Sequence, residues 1–169
     1  MSKQPTEARR NRWRSEIVEH LGDFPRQYAA LGNAMAEFDE GFDLAAFKAA
    51  FESTTDMDAY NRAQAVERAL GRVQNYLAQL SITGAKLAGL KSAKAGEGEA
   101  DKAFGALRDA GVIGPAQCRR LRQTQAARRR IEHGYVKVPA GDVHRAAELI
   151  LDAARAFIGP YRAWVEDYL

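Results

Sequence analysis

Cysteine is almost missing from this chain. Of 169 residues only Cys118 carries a thiol, so no intrachain disulfide and no cysteine metal cluster can form. That usage suits a reducing compartment. Histidine is nearly as scarce, and His20, His133 and His144 are too dispersed to have metal-ligand spacing, which argues against a zinc enzyme. No stretch approaches the roughly 18 uncharged apolar residues of a membrane span, and the opening "MSKQPTEARRNRWRSE" lacks the apolar core of a secretory signal. These absences predict a cytoplasmic protein without membrane contact. A GxSxG elbow and a strand followed by GxxxxGK[ST] are also missing, which leaves covalent hydrolase chemistry and P-loop phosphate binding unsupported.

Strand signals are absent as well, and apolar spacing is helical nearly throughout. From about Met57 to Leu90 the residues Ala63, Val66, Leu70, Val73, Leu77 and Leu80 step by three and four, the stripe of a long helix packed lengthwise against others. Trp13, Ile17 and Leu21 mark an earlier helix, and Tyr28, Leu31, Met35 and Phe38 mark a second that Pro25 can open. Leu44, Phe47 and Phe51 predict a short third helix. The polar stretch "KSAKAGEGEA", residues 91–100, reads as an exposed loop. Phe104 and Leu107 then head a helix that "GVIGP" ends, and Pro115 opens another that Gly134 closes. Val143, Ala147, Ile150 and Phe157 predict the next helix, with "GPYRAWVEDYL" as a short terminal one. The expected fold is an all-α, up-and-down helical bundle. It forms one structural unit, with residues 1–41 as an N-terminal helical extension packing on a helical domain of residues 42–169.

The helix opened by Pro115 is unusual on its inner face. Cys118 and Leu121 set a buried row that continues through Gln125, Arg128 and Ile131, so the row turns polar halfway along. An arginine facing inward loses hydration and needs an anionic partner. Among its helical neighbours only Glu132 could serve, the other candidates being a ligand or a second chain. Arg129 and Arg130 rotate toward solvent. His133 falls at the helix end, where the terminal carbonyls favour a protonated imidazole and the neighbouring arginines oppose it. Between Arg119 and Lys137 there are seven Lys or Arg residues and a single acid, Glu132. Although net charge is only +3 with a pI near 9.1, this local excess suits a polyanion such as RNA or DNA.

Arg128, four residues, His133, one residue and Tyr135 together resemble the R-x4-H-x-Y motif of the HEPN superfamily, in particular its HepT-like toxin ribonucleases. "AQAVERALGRVQNYLAQL" is similar to the long helix before the family motif, "LRDAGVIGPAQCRRLRQ" to its approach, and "VKVPAGDVHRAAELI" to the helix after it. The likeness runs from about Phe42 to Ile158. It departs from the family pattern at Arg129, where an asparagine or another small polar residue is usual.

The resemblance implies HEPN-like topology and metal-independent, cofactor-free RNA cleavage, in which the ribose 2′-hydroxyl attacks the adjacent phosphate. His133 would move protons and Arg128 would hold the phosphate. Arg119, Arg122, Arg129, Arg130 and Lys137 would bind RNA. The site would be completed in a homodimer, and a nucleotidyltransferase-type antitoxin would attach AMP to Tyr135. Two other readings stand beside this one. A catalytically silent HEPN-type module would only bind a partner or nucleotide. A helix-turn-helix DNA-binding protein would present Gln117, Arg119, Arg120 and Arg122 to the duplex.

Overall fold

Side-chain caps fix where the first three helices begin. Thr6, Asp43 and Asp56 each hold an extended backbone and accept a hydrogen bond from the amide three residues on, satisfying donors that a helix start leaves unpaired. The computed structural model describes residues 5–39, 41–91, 98–133 and 138–169, with the His133 side chain outside the described atoms. Among the described residues there are six α-helices and no strand. They are α1 (Glu7–Ala36), α2 (Leu44–Phe51), α3 (Met57–Leu87), α4 (Glu99–Asp109), α5 (Pro115–His133) and α6 (Ala140–Val165), and a 3-10 turn at Glu166–Tyr168 follows. The chain is an all-α helical bundle, as the apolar spacing predicts.

α3 is the central rod, and every residue of its predicted stripe from Ala63 to Leu80 is buried. α1 lies along it and contributes Ile17, Leu21, Phe24, Leu31 and Met35 to the same core. Burying side chains of this size stabilises by about 1.5–3 kcal/mol each. The turn between α4 and α5 is set by Gly111 at φ +74°, with the Val112 amide donating to the Leu107 carbonyl at 2.9 Å, which is how a left-handed residue closes a helix.

Two boundaries differ from the sequence expectation. α1 is one helix of 30 residues with Pro25 inside it, not two helices. Proline removes the amide that would bond to the Leu21 carbonyl, but Arg162 of α6 donates to that oxygen at 3.4 Å. Likewise Gly159-Pro160 does not start a terminal helix, because α6 runs through it to Val165. Tyr161, buried just beyond, donates to the Leu80 carbonyl at 2.5 Å and anchors that last stretch on α3. The polar stretch is also shorter than expected: Glu99 and Ala100 already belong to α4, while residues 92–97 lie outside the described residues.

His144 shows what an isolated histidine can do structurally. Phe42 has φ +58° without being a glycine, a conformation that costs energy. Its ring stacks on the His144 imidazole at 4.2 Å and 7°, and its carbonyl accepts from His144 Nε2 at 2.6 Å. The histidine therefore holds the α1–α2 connection against α6.

Candidate functional site

α5 packs against α6, α4 and α3. Cys118 and Leu121 are buried against the apolar core, the Cys118 thiol lying 3.5 Å from the Phe104 carbonyl. One turn later the seam with α3 becomes polar. Gln74 donates to Gln125 at 2.8 Å. Beyond it, Arg128 donates through Nε to Glu132 at 2.7 Å and through Nη1 to Asn75. The fully buried row of α5 continues through Thr124 and Ala127 rather than turning polar; Gln125, Arg128 and Ile131 are half-buried on the flank beside it.

The Arg128 side chain is only 19% exposed, yet it borders an open groove of about 320 Å³ on the α3–α5 seam. Arg68, Arg72 and Asn75 from α3 line the groove opposite Arg128 and Glu132, with Glu67 beside them. Neither Arg68 nor Arg72 makes an ion pair among the described residues. Three guanidiniums against two carboxylates leave the groove positive. Arg128 has two of its five N–H donors engaged by Glu132 and Asn75. Those contacts hold the planar group in place and leave the rest for an incoming anion.

The other predicted site residues divide into two sets. Arg119 and Arg130 are exposed and make no ion pair among the described residues. Arg122 and Arg129 turn instead to the first turn of α4. Arg129 Nη2 pairs with Asp101 at 3.1 Å, and Arg122 Nη2 donates to the Asp101 backbone carbonyl at 3.3 Å. Arg129 is exposed, as its rotation away from the core predicts, and its guanidinium also pairs with a largely buried carboxylate. Tyr135, Lys137 and the side chain of His133 lie outside the described residues. Position 133 is nevertheless the last of α5. Its five-residue step from position 128 turns roughly 140° about a straight helix axis, onto the flank shared with Arg122 and Arg129.

Arg68, Arg72 and Asn75 were missed from the sequence. Their signal was present: they step by four and three along α3, a polar row parallel to the buried stripe. Nothing in one chain's sequence says which helix that row will face. Among the described residues no group of acidic, cysteine or histidine side chains could hold a metal ion. No helix there is long and apolar enough to cross a membrane. Comparison with known proteins returns no match, whether to a family model, a curated protein or a solved structure.

Proposed function

We propose that the chain is a HepT-like, metal-independent endoribonuclease whose RNA phosphate docks in the α3–α5 groove on Arg128. The observation that carries this reading is the placement of Arg128: a mostly buried guanidinium, oriented by Asn75 and Glu132, opening on a positive groove five residues ahead of the helix-terminal His133. A forked cation held in this way suits a phosphodiester and offsets charge that develops on its nonbridging oxygens. His133 supplies the proton transfers, a contribution typically worth 10²–10⁴-fold. Arg68 and Arg72 extend the phosphate track beyond the residues named from the motif, and Arg119, Arg130 and Lys137 add longer-range attraction.

Positions 128 and 133 diverge around the axis of one helix, so a second copy is the simplest way to bring an Arg128 and a His133 onto the same phosphate. A symmetric dimer with each motif serving its partner meets that requirement. The partner that restrains the enzyme is a nucleotidyltransferase that modifies Tyr135. Intact-mass measurement after co-expression with such an enzyme is expected to show an AMP-sized increment, lost in Tyr135→Phe.

The DNA-reading alternative is disfavoured by two of its four residues. Gln117 is half-buried and Arg122 is drawn back to Asp101, so the helix cannot offer both to a duplex. The silent-module alternative is separated by growth after induced expression of wild type, Arg128→Ala and His133→Ala. The proposal expects arrest with wild type only, accompanied by new RNA ends carrying cyclic phosphate. Three equally harmless or equally harmful proteins would reject it.

A further inference from the structure

α1 and α6 each carry a proline inside the helix, and a groove of about 550 Å³ opens on the seam between them, a volume typical of small-molecule sites. Its floor is Phe24, Pro25, Ile158 and Gly159; Tyr28 and Arg155 stand at one end and Arg162 at the other. The two helices run antiparallel there, since Leu21 meets Arg162 and Tyr28 meets Arg155.

The Tyr28 end presents two donors, Arg155 and the Tyr28 hydroxyl, with the Asp152 carboxylate near enough to act on the guanidinium. Arg155 donates through Nε to the Tyr28 hydroxyl at 3.2 Å, a contact that raises the guanidinium pKa further and keeps it charged. Neither Arg155 nor Arg162 pairs with a described carboxylate. The Arg155 fork keeps its other N–H groups, and the Tyr28 hydroxyl, having accepted one bond, retains a proton to donate. Arg162 is committed differently, to the carbonyl that Pro25 leaves open.

Gly159 marks where the groove can be filled. A side-chain carbon built there meets nothing within 4 Å apart from its chain neighbours, so packing across the bundle does not require the glycine. Inside a helix it costs about 1 kcal/mol relative to alanine. It lies on the groove floor, where a single methyl would still leave the groove open and a longer side chain would fill it.

We propose that the α1–α6 groove binds a small amphipathic carboxylate, its oxyanion on Arg155 and the Tyr28 hydroxyl and its apolar body along Phe24, Pro25 and Ile158. Charge complementarity selects this occupant: an apolar trough ending in a cation and a hydroxyl donor matches an oxyanion attached to a hydrocarbon. The site is separate from the α3–α5 groove and stands whether or not the chain cleaves RNA.

Calorimetric titration of the full chain with decanoate, decanol and decyltrimethylammonium, all below micelle-forming concentrations, tests the proposal. Decanoate is expected to bind saturably, one per chain and about tenfold or more tighter than decanol, the value of a charge-assisted hydrogen bond. The cation is expected not to bind. Arg155→Gln removes the preference for decanoate over decanol. Gly159→Leu abolishes binding of both, while Gly159→Ala retains it, which separates filling of the groove from crowding of Pro160. Should Gly159→Leu fail to fold, Ile158→Glu at a half-buried position gives the same loss for decanoate by repulsion. The absence of saturable decanoate binding, equal affinity for acid and alcohol in the wild type, or decanoate binding unchanged by both Arg155→Gln and a groove-blocking variant overturns it.

Discussion

α5 and α6 pack side by side, yet their inner faces are made of different material. Along α6 the row Val143, Ala147, Ile150, Ala154, Phe157 and Tyr161 is fully buried. Along α5 the buried row Cys118, Leu121, Thr124 and Ala127 is shorter, and the flank beside it carries the half-buried Gln125, Arg128 and Ile131. The contrast separates two tasks. α6 supplies apolar area that stabilises the fold, whereas the second half of α5 keeps hydrogen-bonded polar groups at a seam where apolar residues would pack more favourably. Their retention there is the physical reason to place function on α5.

The contrast is sharpest where large effects are expected. Phe157→Ala on α6 should cost about 3–5 kcal/mol in urea denaturation. On α5, Arg128→Leu should change stability by at most about 1 kcal/mol, because only a part-exposed pair and one amide contact are lost, while removing the proposed RNA cleavage. If Arg128→Leu proved as damaging to the fold as Phe157→Ala, the division of labour between the two helices would be wrong.

A smaller but well-located effect is expected at the α3–α6 crossing. A Cβ at Gly84 would lie 2.5 Å from the Tyr161 oxygen and 3.0 Å from its ring, so Gly84→Ala should lower stability by about 1–3 kcal/mol. At the same α-helical position on an open face, such as Gly71 where nothing lies within 4 Å, the change to alanine should be neutral or stabilising. Matched thermal melts of the two variants read the difference.

The α1–α3 seam should respond to acid. The Tyr76 hydroxyl foremost, then the Gln27 amide, hold the Asp23 carboxyl below its ordinary range, and the same contact pushes the Tyr76 hydroxyl up. For a carboxylate with a lowered folded pKa, the stabilisation is present above the unfolded value, about 4. It fades as pH falls through the lowered one. For the tyrosine it is present below about 10 and fades as pH rises through the raised value. Urea midpoints of wild type and Tyr76→Phe should therefore differ at pH 7 and converge in strong acid.

The sequence revealed helices well because burial repeats with the helical period, and the stripe from Ala63 to Leu80 is buried as its spacing predicts. It placed false helix boundaries at Pro25 and at Gly159-Pro160. A proline inside a helix looks like a boundary unless a distant donor covers the exposed carbonyl, and Arg162 is 141 residues from the Leu21 it serves. At the candidate site, the inward turn of Arg128 and its tie to Glu132 were legible from local spacing. Asn75, Arg68 and Arg72 were not, since their proximity depends on how α3 and α5 meet. The pairing of the exposed Arg129 with Asp101 was not legible either, because Asp101 lies 28 residues away on another helix.

One measurement bears most directly on the claim that Arg128 and His133 of different copies act on one phosphate. Purified Arg128→Ala and His133→Ala chains are unfolded and refolded together, and RNA cleavage is followed without divalent metal. Each variant alone should be inactive, and the mixture should regain about a quarter of wild-type activity, since half of the dimers are mixed and each of those carries one intact site of two. An inactive wild type, variants that cleave unaided, or a mixture no better than its components would contradict the account.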